Sequence, residues 1–124
     1  MRGVFTVALA MLLAMPAMAA DEEDAGTDLG SGIASYFSPE IAGNRTANGE
    51  RCDPDTLTAA HRTARFGSRM RVTNLATGRS VIVRINDPGP FRARRVMDLS
   101  HAAAREIGMH RTGTAKVSLA LLDD

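Results

Sequence analysis

Four side chains stand out as able to do chemistry. Asp87 closes the alternating run VRIND and is followed at once by Pro88, Gly89 and Pro90, which holds a carboxylate in a stiff turn at the end of a strand. Glu50 in TANGE and His61 in LTAAHR are the next candidates, with Asp98 in RVMDLS behind them. Glu50 and Asp87 sit in Gly/Pro-defined loops, where backbone geometry fixes side chains and function is a better explanation than packing. His61 alone reads as a hydrogen-bonding residue of the scaffold, and it gains a functional role only beside a carboxylate.

Two carboxylates and a histidine admit several chemistries. A cysteine protease would use Cys52 with His61 and an acid, but Cys52 lies between Arg51 and Asp53 in a loop with no helix start to lower its pKa. A metal centre needs three ligands, and His61, His101 and His110 share no tight spacing, so neither metal nor cofactor is expected. Glycan cleavage asks for less. One carboxylic acid protonates the bridging oxygen while an anionic neighbour stabilises the oxocarbenium charge. If the sugar's own C6 hydroxyl attacks, no water has to be positioned, and one carboxylate can act as acid and then base.

These residues need a scaffold, and its outline is periodic. GIASYFS, residues 32–38, reads as a first strand, followed by the long Gly/Asn-rich loop AGNRTANGERCDPD. RMRVTNLATGRSVIVRIND, residues 69–87, is a hairpin turning at Asn74 to Gly78, with Val81, Val83 and Ile85 on one face and Asp87 at the same parity. FRARRVMDLS runs into a short helix with Ser100 as N-cap and Gly108 as stop, and TAKVSLALL, residues 114–122, alternates as a last strand. Five or six short strands with one or two short helices point to a small closed barrel.

The N-terminus carries an address. MRGVFTVALAMLLAMPAMAA has Arg2, an apolar run from Val4 to Met15 and the small-residue pattern Ala17-Met18-Ala19, the marks of a secretory signal cleaved after Ala19 or Ala20. Its apolar run is short for a membrane span, and it has no cysteine at its end for lipid attachment. Residues 21–30 form an acidic leader, expected to be disordered, and residues 31–124 one small domain. Residues 29–122 hold fourteen Arg or Lys against seven Asp or Glu, so the domain is basic and its expected partner anionic, such as a cell-wall polymer. One Tyr and four Phe, with the export signal, argue against a base-stacking surface for nucleic acid. Cys52 is the only cysteine, so no internal disulfide can staple the fold.

From Gly32 to Leu122 the chain resembles the RlpA-like family of bacterial envelope proteins, through GIASYFSPEIAGNRTANGE, LTAAHRTARFGSRMRVTNLATGRSVIVRINDPGPF and RRVMDLSHAAAREIG. The resemblance implies a mainly β, six-stranded double-psi β-barrel with one or two short helices. It also implies a lytic transglycosylase that cleaves the β-1,4 bond between N-acetylmuramic acid and N-acetylglucosamine in peptidoglycan, giving 1,6-anhydro ends. Related barrels in expansins make a non-catalytic wall-binding or wall-loosening protein the alternative. By the resemblance, Asp87 is the acid/base, Glu50 and His61 share its groove, and Asp98 is structural or lines the groove. Arg62 and Arg84 are candidates to meet glycan or muramyl carboxylates. The family's Asp-Arg-Gly-Pro is Asp-Pro-Gly-Pro here, so Pro88 removes a cation beside Asp87 and restricts that residue to extended backbone. The expected setting is the periplasm of a Gram-negative bacterium, as a monomer without a lipid anchor. Because the chain ends at Asp124, no separate glycan-binding module is expected.

Overall fold

The computed structural model describes residues 26–37 and 39–123. The expected signal, residues 1–20, and residues 21–25 of the leader lie outside them. The elements are β1 (Thr27–Tyr36), a 3-10 turn (Pro39–Ile41), β2 (Thr58–Ala60), β3 (Arg69–Asn74), β4 (Ser80–Asp87), β5 (Arg95–Leu99), α1 (His101–Glu106) and β6 (Thr114–Asp123). The strands close a barrel in the order β1-β5-β2-β4-β3-β6. Two pairs, β1 with β5 and β2 with β4, run parallel, and the remaining pairs are antiparallel. This is the six-stranded double-psi barrel that the sequence led us to expect, with one short α-helix.

The hairpin follows its pattern. β3 and β4 pair from Arg69↔Arg84 to Thr73↔Ser80, and Gly78, at φ 76°, closes the turn by donating its N–H to the Asn74 carbonyl at 2.8 Å. Val81, Val83 and Ile85 point inward, meeting Met70 and Val72 of β3, Met97 and Leu99 of β5, and Val117 and Leu119 of β6. Burying a side chain of this size contributes about 1.5–3 kcal/mol each. The core is therefore aliphatic and methionine-rich. Ser100 caps α1 through Oγ, which accepts the Ala103 N–H at 3.2 Å, and Gly108, at φ 74°, ends the turn that follows. Ala103, Ala104 and Ile107 are fully buried against the barrel.

One boundary differs from the sequence reading. The barrel starts at Thr27, inside the segment expected to be leader, because Thr27 pairs with Leu121, Asp28 with Ala120 and Gly30 with Leu119. The ladder is made by backbone groups, so the exposed polar side chains of this stretch do not prevent it. Asp28 also holds the local shift in register, its Oδ1 accepting the Gly30 N–H at 2.8 Å.

β1 approaches β5 most closely at Gly32, where a Cβ would overlap the Val96 Cγ1 methyl. A β-branched neighbour has little rotamer freedom with which to yield. Gly32→Ala is expected to cost about 1–3 kcal/mol of unfolding free energy. Adding Val96→Ala should recover part of that loss, giving a favourable coupling in a double-mutant cycle by urea unfolding; strict additivity would refute the close approach.

Candidate active site

The site begins with a defect in the ladder. Thr58 pairs with Arg84, Ala59 with Ile85 and Ala60 with Asp87, so β4 has one residue more than β2, and Asn86 is the bulge. Asn86 is 5% exposed and donates from Nδ2 to Glu50 Oε1 at 2.6 Å. On its other edge, Ala60 pairs with Asp98 of β5. Laterally paired residues share a face, so Asp98, Ala60 and Asp87 form a row with carboxylates at its ends. Two strand spacings put their Cα atoms about 10 Å apart. The row faces a cavity of about 210 Å³ whose other walls include Phe37, Asn44, Thr46 and Cys52.

The two acids are held differently. Asp87 Oδ1 accepts the Ala47 N–H at 2.9 Å, and the Asp87 carbonyl accepts the His61 N–H at 3.1 Å. Its Oδ2 carries no hydrogen bond to another described residue. Asp98 Oδ1 accepts the Ser35 hydroxyl at 3.2 Å. Burial pushes the Asp98 carboxyl above its ordinary range, and the Asp87 charge adds to that push; the Ser35 hydrogen bond and the Arg95 charge only partly offset it.

Glu50 and His61 lie beside this row with other contacts. The Glu50 carboxylate receives Arg84 Nη1 at 2.9 and 3.0 Å as well as Asn86, and it does not line the cavity. Burial alone would raise its pKa, but the hydrogen bonds from Asn86 and Arg84, with the Arg84 charge, prevail and hold it below the ordinary value. His61 Nδ1 accepts the Ala64 N–H at 3.0 Å and the Thr63 N–H at 3.3 Å. Two donors aimed at Nδ1 leave the ring proton on Nε2. Burial, then the Arg62 charge, lowers the His61 pKa, so the ring is neutral near pH 7 and serves as a donor. It borders a second, open depression with Phe66 and Pro88.

Two arginines resolve differently from their sequence reading, whereas Asp98 lines the groove as that reading allowed. Arg62, though exposed, spends its donors on main chain: Nε donates to the Pro90 carbonyl and Nη2 to those of Arg92 and Arg95, each at 2.6 Å. Arg84 is likewise engaged, donating from Nη1 to Glu50 while its side chain stays 43% exposed. Asp98 lines the cavity opposite Asp87. Its sequence signal was an acid interrupting the apolar run Val96, Met97 and Leu99, where a strand would otherwise have a packing residue. Cys52 is buried, and burial, followed by the charges of Asp87, Asp53 and Asp98, pushes its thiol up, which is the opposite of what a nucleophile requires. Among the described residues, no cluster of His, Cys, Asp or Glu could hold a metal, and no helix is long and apolar enough to cross a membrane.

Residues 30–119 match the family described as lytic transglycolase. The chain belongs to the RlpA-like double-psi β-barrel family. The probable endolytic peptidoglycan transglycosylase RlpA of Synechocystis is 59% identical over 88 residues, covering 71% of this chain and 27% of that protein. The endolytic peptidoglycan transglycosylase RlpA of Pseudomonas aeruginosa is 51% identical over 92 residues, covering 74% and 27%. The chain thus spans about a quarter of the length of these family members. An expansin from Clavibacter michiganensis superposes with a TM-score of 0.61 at 20% identity, over 77% of this chain and 50% of that one, a likeness of fold.

The two perturbed acids make opposite pH predictions. Asp98 has a folded-state pKa above its ordinary value of 3.8, so ionising it opposes folding once the pH rises past that value. Asp98→Asn should therefore raise Tm at pH 7, with the gain vanishing near pH 3; a lower Tm at pH 7 would contradict the burial argument. Glu50 has a folded-state pKa below its ordinary 4.5, so its contribution is present above that pH and is lost as the pH falls through the folded-state value. Both partners are a third or more exposed, which limits the pair to about 0.2–1 kcal/mol. In urea titrations Glu50→Gln should lower stability by that amount at pH 7 and match the parent near pH 3.

Proposed function

We propose that this barrel is a lytic transglycosylase acting on the β-1,4 bond between N-acetylmuramic acid and N-acetylglucosamine in peptidoglycan strands, within the bacterial periplasm. The observation that carries this reading is the pair of carboxylates on either side of Ala60, facing one cavity and held in unlike environments. Paired titratable groups whose surroundings separate their proton affinities make an acid and a base. Asp98, pushed up by burial, is the acid, a role that the family resemblance implied for Asp87. Asp87, with Oδ2 unpartnered, is the base.

The proton account closes. Asp98 donates to the bridging oxygen, and the bond from that oxygen to C1 of the muramyl ring breaks. The positive charge at C1 develops toward the Asp87 carboxylate. The C6 hydroxyl of the same ring then attacks C1, and its proton passes to Asp87. The products are a strand with a free 4-hydroxyl and a 1,6-anhydro-muramyl end, and proton exchange with solvent resets both acids. No cofactor is required. His61 offers Nε2–H to a sugar oxygen, while Glu50 acts as a positioning residue, holding Asn86 and with it the bulge that presents Asp87.

The test is a digest of purified peptidoglycan, intact and amidase-treated, read by mass spectrometry for anhydro-muramyl ends. The parent chain should produce them, and Asp87→Asn and Asp98→Asn should each lower the rate by about 10²-fold or more. Full activity in Asp98→Asn would return the acid role to Asp87. Retained wall binding without anhydro ends on any substrate would establish the non-catalytic, expansin-like alternative instead.

A further inference from the structure

A depression of about 460 Å³ opens on the far side of Asp98, lined by Ser35, Tyr36, Phe91, Arg92, Arg95 and Asp98. Asp98 is therefore a shared wall, with the reaction cavity on one side and this depression on the other. Arg92 and Arg95 form no hydrogen bond through their guanidinium groups and no ion pair with any described residue, unlike Arg62 and Arg84. Phe91 is 80% exposed, the most of the large hydrophobic side chains among the described residues. An aromatic face beside planar cations suits a sugar that carries an acid group.

The loop that presents these side chains is built rather than slack. Arg62 fastens three of its carbonyls, and Arg94 adopts φ 68°, a left-handed conformation that a non-glycine residue holds only when its surroundings impose it. The Arg94 carbonyl in turn accepts the Ile33 N–H of β1 at 3.2 Å. Arg62 is thus a positioning residue, its donors spent on main chain so that Arg92 and Arg95 project from a fixed backbone.

The geometry points to a carboxylate-binding subsite at Phe91, Arg92 and Arg95 that takes a muramyl residue by the acid group on its 3-O-lactyl arm. This rests on the glycan reading above and deepens it by fixing which sugar lies beside Asp98. The acid has two chemical sources: the lactyl carboxylate itself on a peptide-free strand, or a carboxylate of an attached stem peptide. Neutral N-acetylglucosamine offers neither, so the subsite sets the register of an alternating strand. Occupation would also neutralise Arg95, whose charge otherwise favours ionised Asp98, and so raise the proton affinity of Asp98 further.

Binding can be measured by calorimetry in an Asp87→Asn background, which prevents turnover, with four probes: a peptide-free GlcNAc-MurNAc tetrasaccharide, its lactyl amide, the same glycan bearing a dipeptide with a free carboxylate, and a chitotetraose. The acid-bearing probe should bind about 10- to 100-fold more tightly than the lactyl amide and chitotetraose, the range expected for a charge-assisted pair. Arg92→Gln with Arg95→Gln should remove that difference while leaving chitotetraose affinity unchanged, and Arg111→Gln, an exposed arginine elsewhere, should leave it intact. A preference for the free lactyl acid assigns one source, and a preference for the dipeptide glycan assigns the other. Equal affinity for acid and neutral probes, or a preference that survives the double substitution, overturns the subsite. The anhydro-end assay reports separately: arginine-dependent binding without cleavage keeps the subsite and removes the enzyme, whereas cleavage without that dependence does the reverse.

Discussion

A single extra residue in β4 governs the site. Without the bulge at Asn86, the parallel ladder between β2 and β4 would run on evenly and Ala60 would face Asn86 instead of Asp87. With it, Asn86 still borders the cavity but its side chain is tied to Glu50. Asp87 takes its place opposite Asp98, and Ala60, with only a methyl group, leaves the space between them open. The stiff Pro88-Gly89-Pro90 turn follows directly, so the strand ends where its carboxylate is needed. Pro88, which takes the place of the family's arginine, is compatible with this arrangement because Asp87 is already extended at the end of β4.

Charge on this barrel is sorted by partner rather than merely accumulated. Arg84 pairs with Glu50, and Arg62 is engaged by main-chain carbonyls, so these two cations do structural work. Part of the basic surplus that the composition shows is delivered elsewhere, by Arg92 and Arg95, whose guanidinium groups make no hydrogen bond to another described residue. A net charge is silent about this division, because an arginine that holds a loop and one that greets a ligand count equally.

Much of this was legible in the sequence. The β3–β4 hairpin, the cap at Ser100, the stop at Gly108 and the last strand each carry a local signal, and motif resemblance extended these to a six-stranded barrel. Asp87 was visible because prolines mark its strand end. What escaped was non-local. β2 has three residues and β5 five, too few for a period to declare itself, and they become strands only through neighbours distant in the chain. The partnership of Asp98 with Asp87 depends on both strands meeting β2, and the engagement of Arg62 depends on a loop thirty residues away. The start of β1 escaped for a related reason, since Thr27 to Gly30 are held by β6 and not by their own side chains.

Closure of the barrel by β1 against β6 joins the first strand made to the last. β1 also needs β5, so as the chain emerges N-terminus first, Thr27–Tyr36 has no partner on either edge until Arg95–Leu99 appears and stays open on the other until Thr114–Asp123 follows. Contacts of such long sequence separation slow folding, since loop closure must be met before the pairing rewards it. Interrupting Thr114–Asp123 removes a partner strand from β1 and β3 together. The same topology that leaves the finished ring without raw edges therefore keeps its first strand open until the late strands arrive.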